Sequence, residues 1–387
     1  MSKPRLVLFA GSAVVLGTAV ALLVGELALR AFWPQRSAVS VGMFRTDPAA
    51  GFSLQPGYEN VVRVPEYTTS IHIDTDGYRV PEVPESENQP VRILAVGDSF
   101  TFGVGVEAEE AWPEVLEDQI LADQVPGVAV RNGGVGGYGP LRTQRLLEAR
   151  QVAWEPDIIV HAVYLGNDLE DAQPATYLES PRIQDGRMVA EEKGLFKRTR
   201  FLLRIHSHLY AFVRDQFYGM YLRTPFAERS RYLDPMGLAE WPAEILEESW
   251  PAAAESIRGI RVWAEARDIR YLVVLIPLKY QVNDDAWDEY RRRWDLPDEA
   301  LDRDHAQRVV THFLAEQQIP FLDLLPAMQQ ADPRRAAEFY FPVDAHWTPT
   351  GHRFAADRIR RELRERGWVA QLVTPPPVAA APDLRSG

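Results

Sequence analysis

From residue 91 onward the chain alternates short apolar runs with segments of helical length, and this alternation limits the fold more than any other feature. Five runs are apolar at nearly every position, at residues 92–96, 128–130, 157–164, 270–276 and 319–322. Such runs must be buried on both faces, as the strands of a parallel sheet are. The sequence therefore predicts an α/β fold in which helices cover both faces of a parallel sheet of about five strands.

The N-terminal residues impose a second constraint. Residues 6–25 carry no charge, and as a helix they would span roughly 30 Å, the thickness of the hydrocarbon layer of a membrane. The apolar region of a cleaved signal peptide is shorter and ends at a small-residue cleavage site. Here the run continues into Glu26-Leu-Ala-Leu-Arg30 without such a site. We therefore predict an uncleaved signal anchor over residues 1–32, with a cleaved signal peptide as the alternative.

Charge and cysteine content exclude several classes of function. The chain has 42 Lys and Arg residues against 55 Asp and Glu residues, which gives a formal net charge of −13. Nucleic-acid binding requires clustered positive charge, so we expect no nucleic-acid partner. The chain contains no Cys, which excludes disulfides, Cys-ligated zinc, iron–sulfur clusters and Cys nucleophiles.

The segment between the anchor and the alternating pattern has a different character. Residues 33–90 are predicted to form a β-containing prelude, with strand character at residues 61–64 and 70–73 and a turn at Asp76-Gly77. A proline-rich stretch then marks the boundary with the main domain, which we assign to residues 91–368.

Two further segments interrupt or follow the main domain. The stretch at about residues 170–240 is too long for a simple connection between strands, and we predict a helical insertion there. Apolar residues recur in it at helical spacing: Phe201, Ile205, Leu209, Phe212, Val213 and Phe217. They favour a helix packed on its own domain, and a membrane-surface helix is the alternative. Residues 369–387 are rich in Pro and Ala and are predicted to be disordered.

A serine follows the first predicted strand of the main domain, in Gly97-Asp98-Ser99. A serine at the carboxyl end of a parallel strand is well placed as an exposed nucleophile, although it needs an adjacent base. The alternative interpretation is that Asp98 and Ser99 only cap a turn. The tripeptide by itself is therefore a weak indication of catalysis.

A glycine-rich turn follows the second predicted strand, at residues 132–140. Its backbone N–H groups could approach a ligand closely. The turn also has G-x-G-x-x-G spacing at Gly134, Gly136 and Gly139, which raises a dinucleotide-binding alternative. That alternative requires an acidic residue about 20 positions further on, whereas Asp168 lies nearer to about 30. We therefore disfavour nucleotide binding.

Two more polar groups follow predicted strands. Asn167 comes directly after the third strand, where its amide could donate to an anionic oxygen, and an ordinary turn is the alternative. Asp344 and His346 come after the last strand, and extended backbone would put both side chains on one face, so that the carboxylate could hold the imidazole. Thr348 and Pro349 then predict the start of the final helix.

Several histidines could either bind a metal or have a structural role. His352 is in register with the apolar positions of the final helix, so we predict that it faces the core. A metal site could be imagined at Asp344, His346 and His352, or at His206 and His208. Neither set has the ligand spacing of known sites. We therefore predict no metal and no cofactor.

Serine, glycine turn, asparagine and Asp/His pair occur in this order, and in this combination the sequence resembles the SGNH hydrolase superfamily, also called GDSL-type esterases. The resemblance covers roughly residues 91–366 and implies a three-layer α/β/α, flavodoxin-like fold. It implies that Ser99 is the nucleophile and that His346 is the general base. It also implies an oxyanion hole formed by the backbone N–H groups of Ser99 and Gly137 and by the Asn167 amide.

The acidic member of the implied triad departs from the common pattern of the family. There the acid stands three residues before the histidine, a place that Val343 occupies here. Asp344, two residues before His346, is assigned instead. An Asp-x-His pair occurs in related alginate-acetylation proteins, but there it precedes the serine in sequence.

The resemblance implies a serine esterase that hydrolyses ester bonds, with O-acyl or O-acetyl groups on envelope glycans or lipids as the expected substrate. An O-acetyltransferase acting on cell-surface polysaccharide and a non-catalytic glycan-binding protein are the alternatives. Together with the predicted anchor, the resemblance suggests a single-pass protein of the bacterial inner membrane with its catalytic domain on the periplasmic side. Lys3 and Arg5 favour a cytoplasmic N-terminus, whereas Arg30 and Arg36 oppose this orientation. Nothing in the sequence identifies a protein partner.

Overall fold

The computed structural model describes residues 3–33, 42–64, 66–82, 91–123, 125, 127–150, 154–171, 182–184, 186–189, 199, 203, 206–221, 243–284, 287–288, 302–342, 344 and 346–373. In chain order the strands are β1 (Phe44–Asp47), β2 (Gly51–Leu54), β3 (Glu59–Arg63), β4 (Thr68–Ile73), β5 (Arg79–Val80), β6 (Val91–Val96), β7 (Val128–Asn132), β8 (Ile158–Tyr164), β9 (Arg182–Gln184), β10 (Arg187–Val189), β11 (Arg270–Ile276) and β12 (Phe321–Asp323). The α-helices are α1 (Lys3–Phe32), α2 (Ser99–Phe102), α3 (Trp112–Ala122), α4 (Pro140–Arg150), α5 (Asp168–Asp171), α6 (His208–Tyr221), α7 (Ala243–Glu265), α8 (Lys279–Val282), α9 (His305–Glu316), α10 (Leu325–Gln329), α11 (Pro333–Ala337), α12 (Pro349–Glu365) and α13 (Trp368–Val373).

The five strands predicted from the apolar runs form the parallel part of the main sheet. Their order across the sheet is β7-β6-β8-β11-β12, and every neighbouring pair is parallel. Counted along the chain this order is 2-1-3-4-5, the flavodoxin-like arrangement. The predicted fold is confirmed. In such sheets ligands bind at the carboxyl ends of the strands where the order reverses, which here is between β6 and β8.

Side chains alternate between the two faces of the parallel strands and build two separate cores. Ile93 of β6 belongs to the core that β6 shares with α3 and α12. Its neighbour Leu94 belongs to the core on the opposite face, with α4, α7 and α9. This two-residue alternation, with both faces apolar, explains why the strands read as continuous apolar runs. The result is three layers, with helices on both sides of the sheet.

The prelude extends the main sheet, which the sequence did not predict. Strands β5, β4 and β3 continue the sheet beyond β7, and all their pairings are antiparallel. The contact with the parallel part is the pair Arg79 and Asn132. Apolar side chains of the prelude also pack on the main domain, where Phe52 lies against Tyr138 with ring centroids 5.2 Å apart. Residues 42–82 therefore lie close to the carboxyl edge of the parallel strands.

The N-terminal helix is long and apolar enough to cross a membrane. Its apolar part, Gly11–Phe32, is not buried against the rest of the chain, and it is the one helix with these properties among the described residues. A signal anchor and a membrane span share these properties.

The insertion and the tail differ in part from their predictions. Within the insertion the structure describes the helix α6 and also a β-hairpin, β9–β10, which the sequence did not predict. Phe201 and Ile205 lie outside the described residues. At the C-terminus residues 368–373 form helix α13, and Val369 is buried in the core, so the prediction of disorder is wrong for residues 369–373. Residues 374–387 lie outside the described part of the chain.

Candidate active site

Ser99 lies at the point where strand β6 ends and helix α2 begins. The Asp98 carboxylate caps this helix, with its Oδ1 atom accepting a hydrogen bond from the backbone N–H of Phe100 at 2.9 Å. The three residues after Ser99 are buried and fix the helix against the core. Ser99 itself stays partly exposed. The sequence folds in this way because a short capped helix with an apolar inner face leaves only its first side chain at the surface.

Asp344 and His346 lie on a loop whose two ends are joined to each other by hydrogen bonds. A β-bridge joins Tyr340 to Trp347, and the backbone N–H of Phe341 donates to the carbonyl oxygen of His346 at 3.0 Å. Helix α12 begins directly after the loop, with Thr348 as its N-cap, as the sequence predicted. The loop is therefore held between the last part of the core and the start of the final helix.

The side chains of Ser99, His346 and Asp344 form one connected hydrogen-bonded chain. The His346 Nε2 atom lies 2.7 Å from the Ser99 Oγ atom. On the other side of the ring, Nδ1 of His346 is hydrogen-bonded to Oδ1 of Asp344. The imidazole ring also packs against the Phe100 ring, with centroids 5.1 Å apart. A hydroxyl, an imidazole and a carboxylate connected in this order can activate a serine for nucleophilic attack.

The electrostatics of this chain fit a general base. Burial by itself lowers the pKa of His346, but the hydrogen bond to Asp344 and the negative charge of that carboxylate outweigh it, so the pKa is raised above its ordinary value of 6.5. For Asp344, burial raises the pKa, and the contacts with His346 reverse the effect and lower it to about 2. The imidazolium–carboxylate pair is therefore the favoured charged form.

The predicted oxyanion residues Gly137 and Asn167 follow the two strands that neighbour β6 in the sheet. Gly137 follows β7 and Asn167 follows β8, and β6, which carries Ser99, lies between these two strands. A Cβ atom at Gly136 would lie 3.9 Å from the Ser99 Cβ atom, and Gly137 has φ of +80°, a conformation that favours glycine. At Gly134 a Cβ atom would lie 2.2 Å from the Phe102 backbone nitrogen. The glycines thus let this turn pack against helix α2.

Comparison with known proteins agrees with this arrangement. The family described as "SGNH hydrolase-like domain, acetyltransferase AlgX" matches residues 242–376, which include His346 and Asp344. Residues 242–376 are therefore similar to an SGNH hydrolase-like domain, and the match does not reach Ser99, Gly137 or Asn167. No curated protein matches the sequence significantly.

Several solved structures of SGNH and GDSL proteins are similar at low identity. A putative lipolytic protein of the G-D-S-L family from Desulfitobacterium hafniense is 17% identical, covering 70% of this chain and 99% of its own, with a TM-score of 0.36. A lipase/acylhydrolase from Enterococcus faecalis is 16% identical, covering 71% and 96%, with a TM-score of 0.36. An acetyl xylan esterase is 12% identical, covering 70% and 98%, with a TM-score of 0.38.

Asp98 has a second contact besides its capping role. Its Oδ2 atom lies 3.2 Å from the Ser99 Oγ atom, which is longer than the 2.7 Å contact between Ser99 and His346. Burial raises the pKa of Asp98 to about 6. Asp98 therefore caps helix α2, as in the alternative interpretation of Asp98-Ser99. Ser99 nevertheless also contacts His346. The shorter distance makes His346 the better acceptor for the serine proton.

Two residues of the prelude contact Asp344, and no sequence pattern indicates either contact. The Tyr67 hydroxyl donates to Oδ2 of Asp344 at 3.0 Å. The backbone N–H of Asp344 donates to Oε2 of Glu66 at 2.7 Å. Both oxygens of the Asp344 carboxylate are thus engaged, one by His346 and one by Tyr67. No local pattern could identify these partners, because they lie 277 and 278 residues away along the chain.

Arg79 of the prelude holds the C-terminal end of helix α2. It is almost completely buried, and its Nη1 atom donates to the carbonyl oxygens of Phe102 at 2.6 Å and Gly103 at 2.5 Å. Its Nη2 atom donates to the carbonyl oxygen of Val106 at 2.6 Å. The guanidinium therefore supplies charged donors to three buried carbonyl oxygens that follow Ser99. Their other donors are the Asn132 amide at 3.4 Å, the Val106 N–H at 3.4 Å and the Thr69 hydroxyl at 2.6 Å.

We expect the Arg79→Met variant to lose about 3 kcal/mol or more of folding free energy, because several buried carbonyl groups lose their charged donor together. Thermal unfolding of the detergent-solubilised chain, followed by circular dichroism, measures the change. The matched control is Arg267→Met. Arg267 is an exposed cation over the Trp263 ring, so its loss should change stability by no more than about 0.5 kcal/mol. Equal stability of the two variants would contradict the role assigned to Arg79.

His352 has a structural role. His352 is fully buried, its Nδ1 atom accepts from the backbone N–H of Trp112 at 3.2 Å, and burial lowers its pKa to about 3. The prediction that it faces the core is confirmed. Within the described ranges no three His, Asp or Glu side chains are grouped as metal ligands.

Proposed function

We propose that the chain is a serine esterase of SGNH type that acts on O-acyl groups of envelope glycans or lipids. The observation that carries this proposal is the connected chain from Asp344 through His346 to the Ser99 Oγ atom. A capped serine without a histidine in contact would favour a binding protein on the same fold. The alignment of a nucleophile, a base and an acid at the reversal point of the sheet favours acyl transfer.

In the proposed mechanism His346 Nε2 takes the proton of the Ser99 hydroxyl while Oγ attacks the ester carbonyl carbon. The carbonyl electron pair moves onto oxygen, and the backbone N–H groups of Ser99 and Gly137 and the Asn167 amide stabilise the oxyanion. His346 then returns the proton to the leaving alcohol as the carbon–oxygen bond breaks, which leaves an acyl-Ser99 ester. Attack by water, deprotonated by His346, releases the acid and restores Ser99. Asp344 holds the imidazole in the required tautomer and stabilises its charged form.

A second candidate differs only in the molecule that accepts the acyl group. The matching family is described as an acetyltransferase, which favours a sugar hydroxyl in place of water in the second half of the reaction. Incubating the enzyme with an activated acetyl ester and a polysaccharide acceptor separates the two candidates. Release of acetate at the same rate with and without the acceptor supports the esterase, and acetylated polysaccharide at the expense of acetate supports the transferase.

Covalent labelling separates both enzymes from a non-catalytic glycan-binding protein. A fluorophosphonate probe reacts with a serine only when a neighbouring base activates it. We expect stoichiometric labelling of the full chain at Ser99, located by mass spectrometry of the digested protein. An unlabelled chain under conditions that label a known serine esterase would favour the binding protein.

The activity is expected to depend on pH through His346. The base must be neutral to accept the Ser99 proton, and its pKa is raised above 6.5. Activity is therefore lost as the pH falls through this raised pKa, and it is retained above it. We expect kcat/KM for an activated acetyl ester to rise between about pH 5 and 8, with a midpoint above the ordinary histidine value. A rate that is flat over this range would contradict the assignment of His346 as the base.

Tyr67 is expected to act as a positioning residue through Asp344. The Tyr67→Phe variant removes the hydroxyl that donates to Asp344 Oδ2 and should lower kcat/KM by about 3- to 10-fold. Without this donor the carboxylate charge is less dispersed, so it stabilises the His346 imidazolium more strongly and the acidic limb of the pH profile moves to higher pH. Steady-state kinetics across pH measure both effects.

The matched control for Tyr67 is Tyr58→Phe. The Tyr58 hydroxyl accepts a hydrogen bond from the Asn60 side chain at 2.8 Å, within the same prelude. This variant should leave both kcat/KM and the pH midpoint unchanged. An unmoved pH midpoint in Tyr67→Phe, whatever its rate, would mean that Tyr67 has only a structural role.

The location proposed for this enzyme follows from helix α1. An uncleaved single-pass anchor in the bacterial inner membrane would hold the catalytic domain on the periplasmic side, where envelope glycans and lipid-linked acyl groups are available. Lys3 and Arg5 before the apolar run support this orientation. Protease treatment of spheroplasts tests it, because the catalytic domain should then be digested without lysis.

A further inference from the structure

Helix α6 of the insertion begins directly on the N-terminal helix. Glu26 of α1 accepts hydrogen bonds from the backbone N–H groups of His208 at 3.0 Å and Leu209 at 2.8 Å. It also accepts from the Ser207 hydroxyl at 2.9 Å. A carboxylate at this place satisfies the unpaired N–H groups of the first turn and matches the positive end of the helix dipole. Glu26 thus caps the first turn of α6 from another helix, together with the Ser207 hydroxyl, which accepts from the backbone N–H of Tyr210 at 3.0 Å.

The charge of Glu26 is compensated within the same contact. The Arg30 Nε atom donates to Glu26 at 2.7 Å, and its Nη2 atom donates to the carbonyl oxygen of His206 at 2.6 Å. A lone carboxylate within an apolar span is costly and rarely lacks a partner. Here it is paired with a cation and with the start of α6. The apolar helix α1 therefore carries a polar pair that fits the start of α6.

Apolar contacts extend the junction on either side of the polar pair. The Leu209 side chain comes within 3.6 Å of the Cβ position of Gly25. The rings of Trp33 and Phe212 meet edge to face with centroids 5.7 Å apart. The contact thus runs from Gly25 to Trp33, along the C-terminal turns of α1.

The position of Glu26 fixes the depth at which α6 starts. The helical rise places Glu26 roughly 9 Å before Phe32 along the axis of α1. Phe32 is the last residue of the candidate span. An element attached there cannot lie in bulk solvent if α1 is embedded, because the boundary between hydrocarbon and headgroups is at this level.

The exposed surface around this junction is apolar and aromatic. Phe32 is 89% exposed, Trp33 60%, Phe217 57% and Val213 42%. Aromatic side chains are favoured at the membrane interface, and an amphipathic helix lies there with its apolar side toward the acyl chains. The fourteen residues of α6 include only two Asp, Glu, Lys or Arg side chains, Arg214 and Asp215. The surface therefore fits lipid better than water.

We propose that α6 is an interfacial membrane helix that lies in the headgroup region of the leaflet from which α1 emerges. Together α1 and α6 form one membrane-binding surface, and the occupant of the exposed face of α6 is the lipid leaflet. The inference goes beyond the proposed acyl-transfer reaction and does not depend on it, but it requires α1 to be embedded. Its consequence is that the insertion holds the domain at the membrane surface.

Site-directed spin labelling tests this proposal cleanly, because the chain has no Cys. Val213→Cys and Phe217→Cys place a nitroxide on α6 of the full chain, reconstituted in vesicles of phosphatidylcholine and phosphatidylglycerol. The matched control is Val262→Cys on helix α7, at a valine that is 60% exposed. Collision of the label with oxygen and with a water-soluble nickel chelate measures its depth.

We expect labels at 213 and 217 to be at least about threefold less accessible to the nickel chelate than the label at 262, and more accessible to oxygen. Phe32→Cys reports whether α1 is embedded in the same vesicles. Aqueous accessibility at 213 and 217 with a lipid-exposed label at 32 overturns the proposal. Shielding of 213 and 217 from both reagents also overturns it, since a protein surface, such as a second copy of the chain, would then cover α6.

The capping contact is tested by adding Glu26→Ala to the Val213→Cys chain. Loss of the acceptor should release the start of α6 and raise the accessibility of the label to the nickel chelate about twofold or more. The Glu26→Ala and Val262→Cys combination should show no change. An unchanged depth at 213 would overturn the role assigned to Glu26 in holding α6 at the membrane.

Discussion

Replacing Ser99 by alanine is expected to lower kcat/KM for an activated acetyl ester such as p-nitrophenyl acetate by at least about 10³-fold. The variant removes the only atom that attacks the carbonyl carbon, while the imidazole and the oxyanion donors stay in place. Residual turnover would come from binding and electrostatic stabilisation alone. Initial rates at saturating and limiting ester concentrations measure the loss.

The fold of the Ser99→Ala variant should be unaffected, because Ser99 is the partly exposed first residue of α2 and Asp98 still caps that helix. The matched control is Ser256→Ala, in which a buried hydroxyl of α7 loses its bond to the Ala252 carbonyl oxygen. That variant should keep full activity, and both variants should retain native circular dichroism. Undiminished turnover in Ser99→Ala would end the proposal of a serine ester intermediate.

The Asp344→Asn variant is expected to lower kcat/KM by about 10⁴-fold. The amide keeps the shape of the carboxylate but cannot balance the positive charge that His346 acquires, and it favours the wrong tautomer of the ring. Since Asp344 is what raises the pKa of His346 against burial, the acidic limb of any remaining activity should move to lower pH. The pH dependence of kcat/KM measures both consequences.

Asp98 provides the decisive comparison for this prediction. It is the other carboxylate in contact with the Ser99–His346 pair, at 3.2 Å from the Ser99 Oγ atom. Asparagine caps helices as well as aspartate does, so Asp98→Asn should preserve helix α2 and cost less than about tenfold in kcat/KM. A larger loss in Asp98→Asn than in Asp344→Asn would make Asp98 the acidic member of the triad.

Local patterns in the sequence were sufficient to predict the frame of the active site. The parallel strands are apolar on both faces, so each one produced a continuous run, and β11 was predicted at its observed bounds, Arg270–Ile276. The start of helix α12 followed from Thr348 and Pro349, because capping is decided by adjacent residues. Ser99 and His346 were predicted as site residues in the same way, by their places after predicted strands.

The sequence predicted Asp344 as the acidic residue, but only the structure shows its contact with His346. The spacing of the pair differs from the common family pattern, and the residue at the expected place, Val343, lies outside the described residues. An extended Asp-x-His only predicts that the two side chains point the same way. The hydrogen bond between Asp344 and His346, and the second bond from Tyr67, are properties of how the loop meets the prelude.

Sequence alone determined the layered α/β fold, the apolar N-terminal helix and the order of the chemical groups, because periodicity, capping and turn residues act over a few neighbouring positions. Tertiary structure alone decided that the prelude continues the sheet, that Arg79 and Tyr67 support the site, and that α6 starts on α1. These contacts join residues separated by tens to hundreds of positions. These contacts depend on which surfaces meet when the chain packs, and no local sequence pattern encodes them.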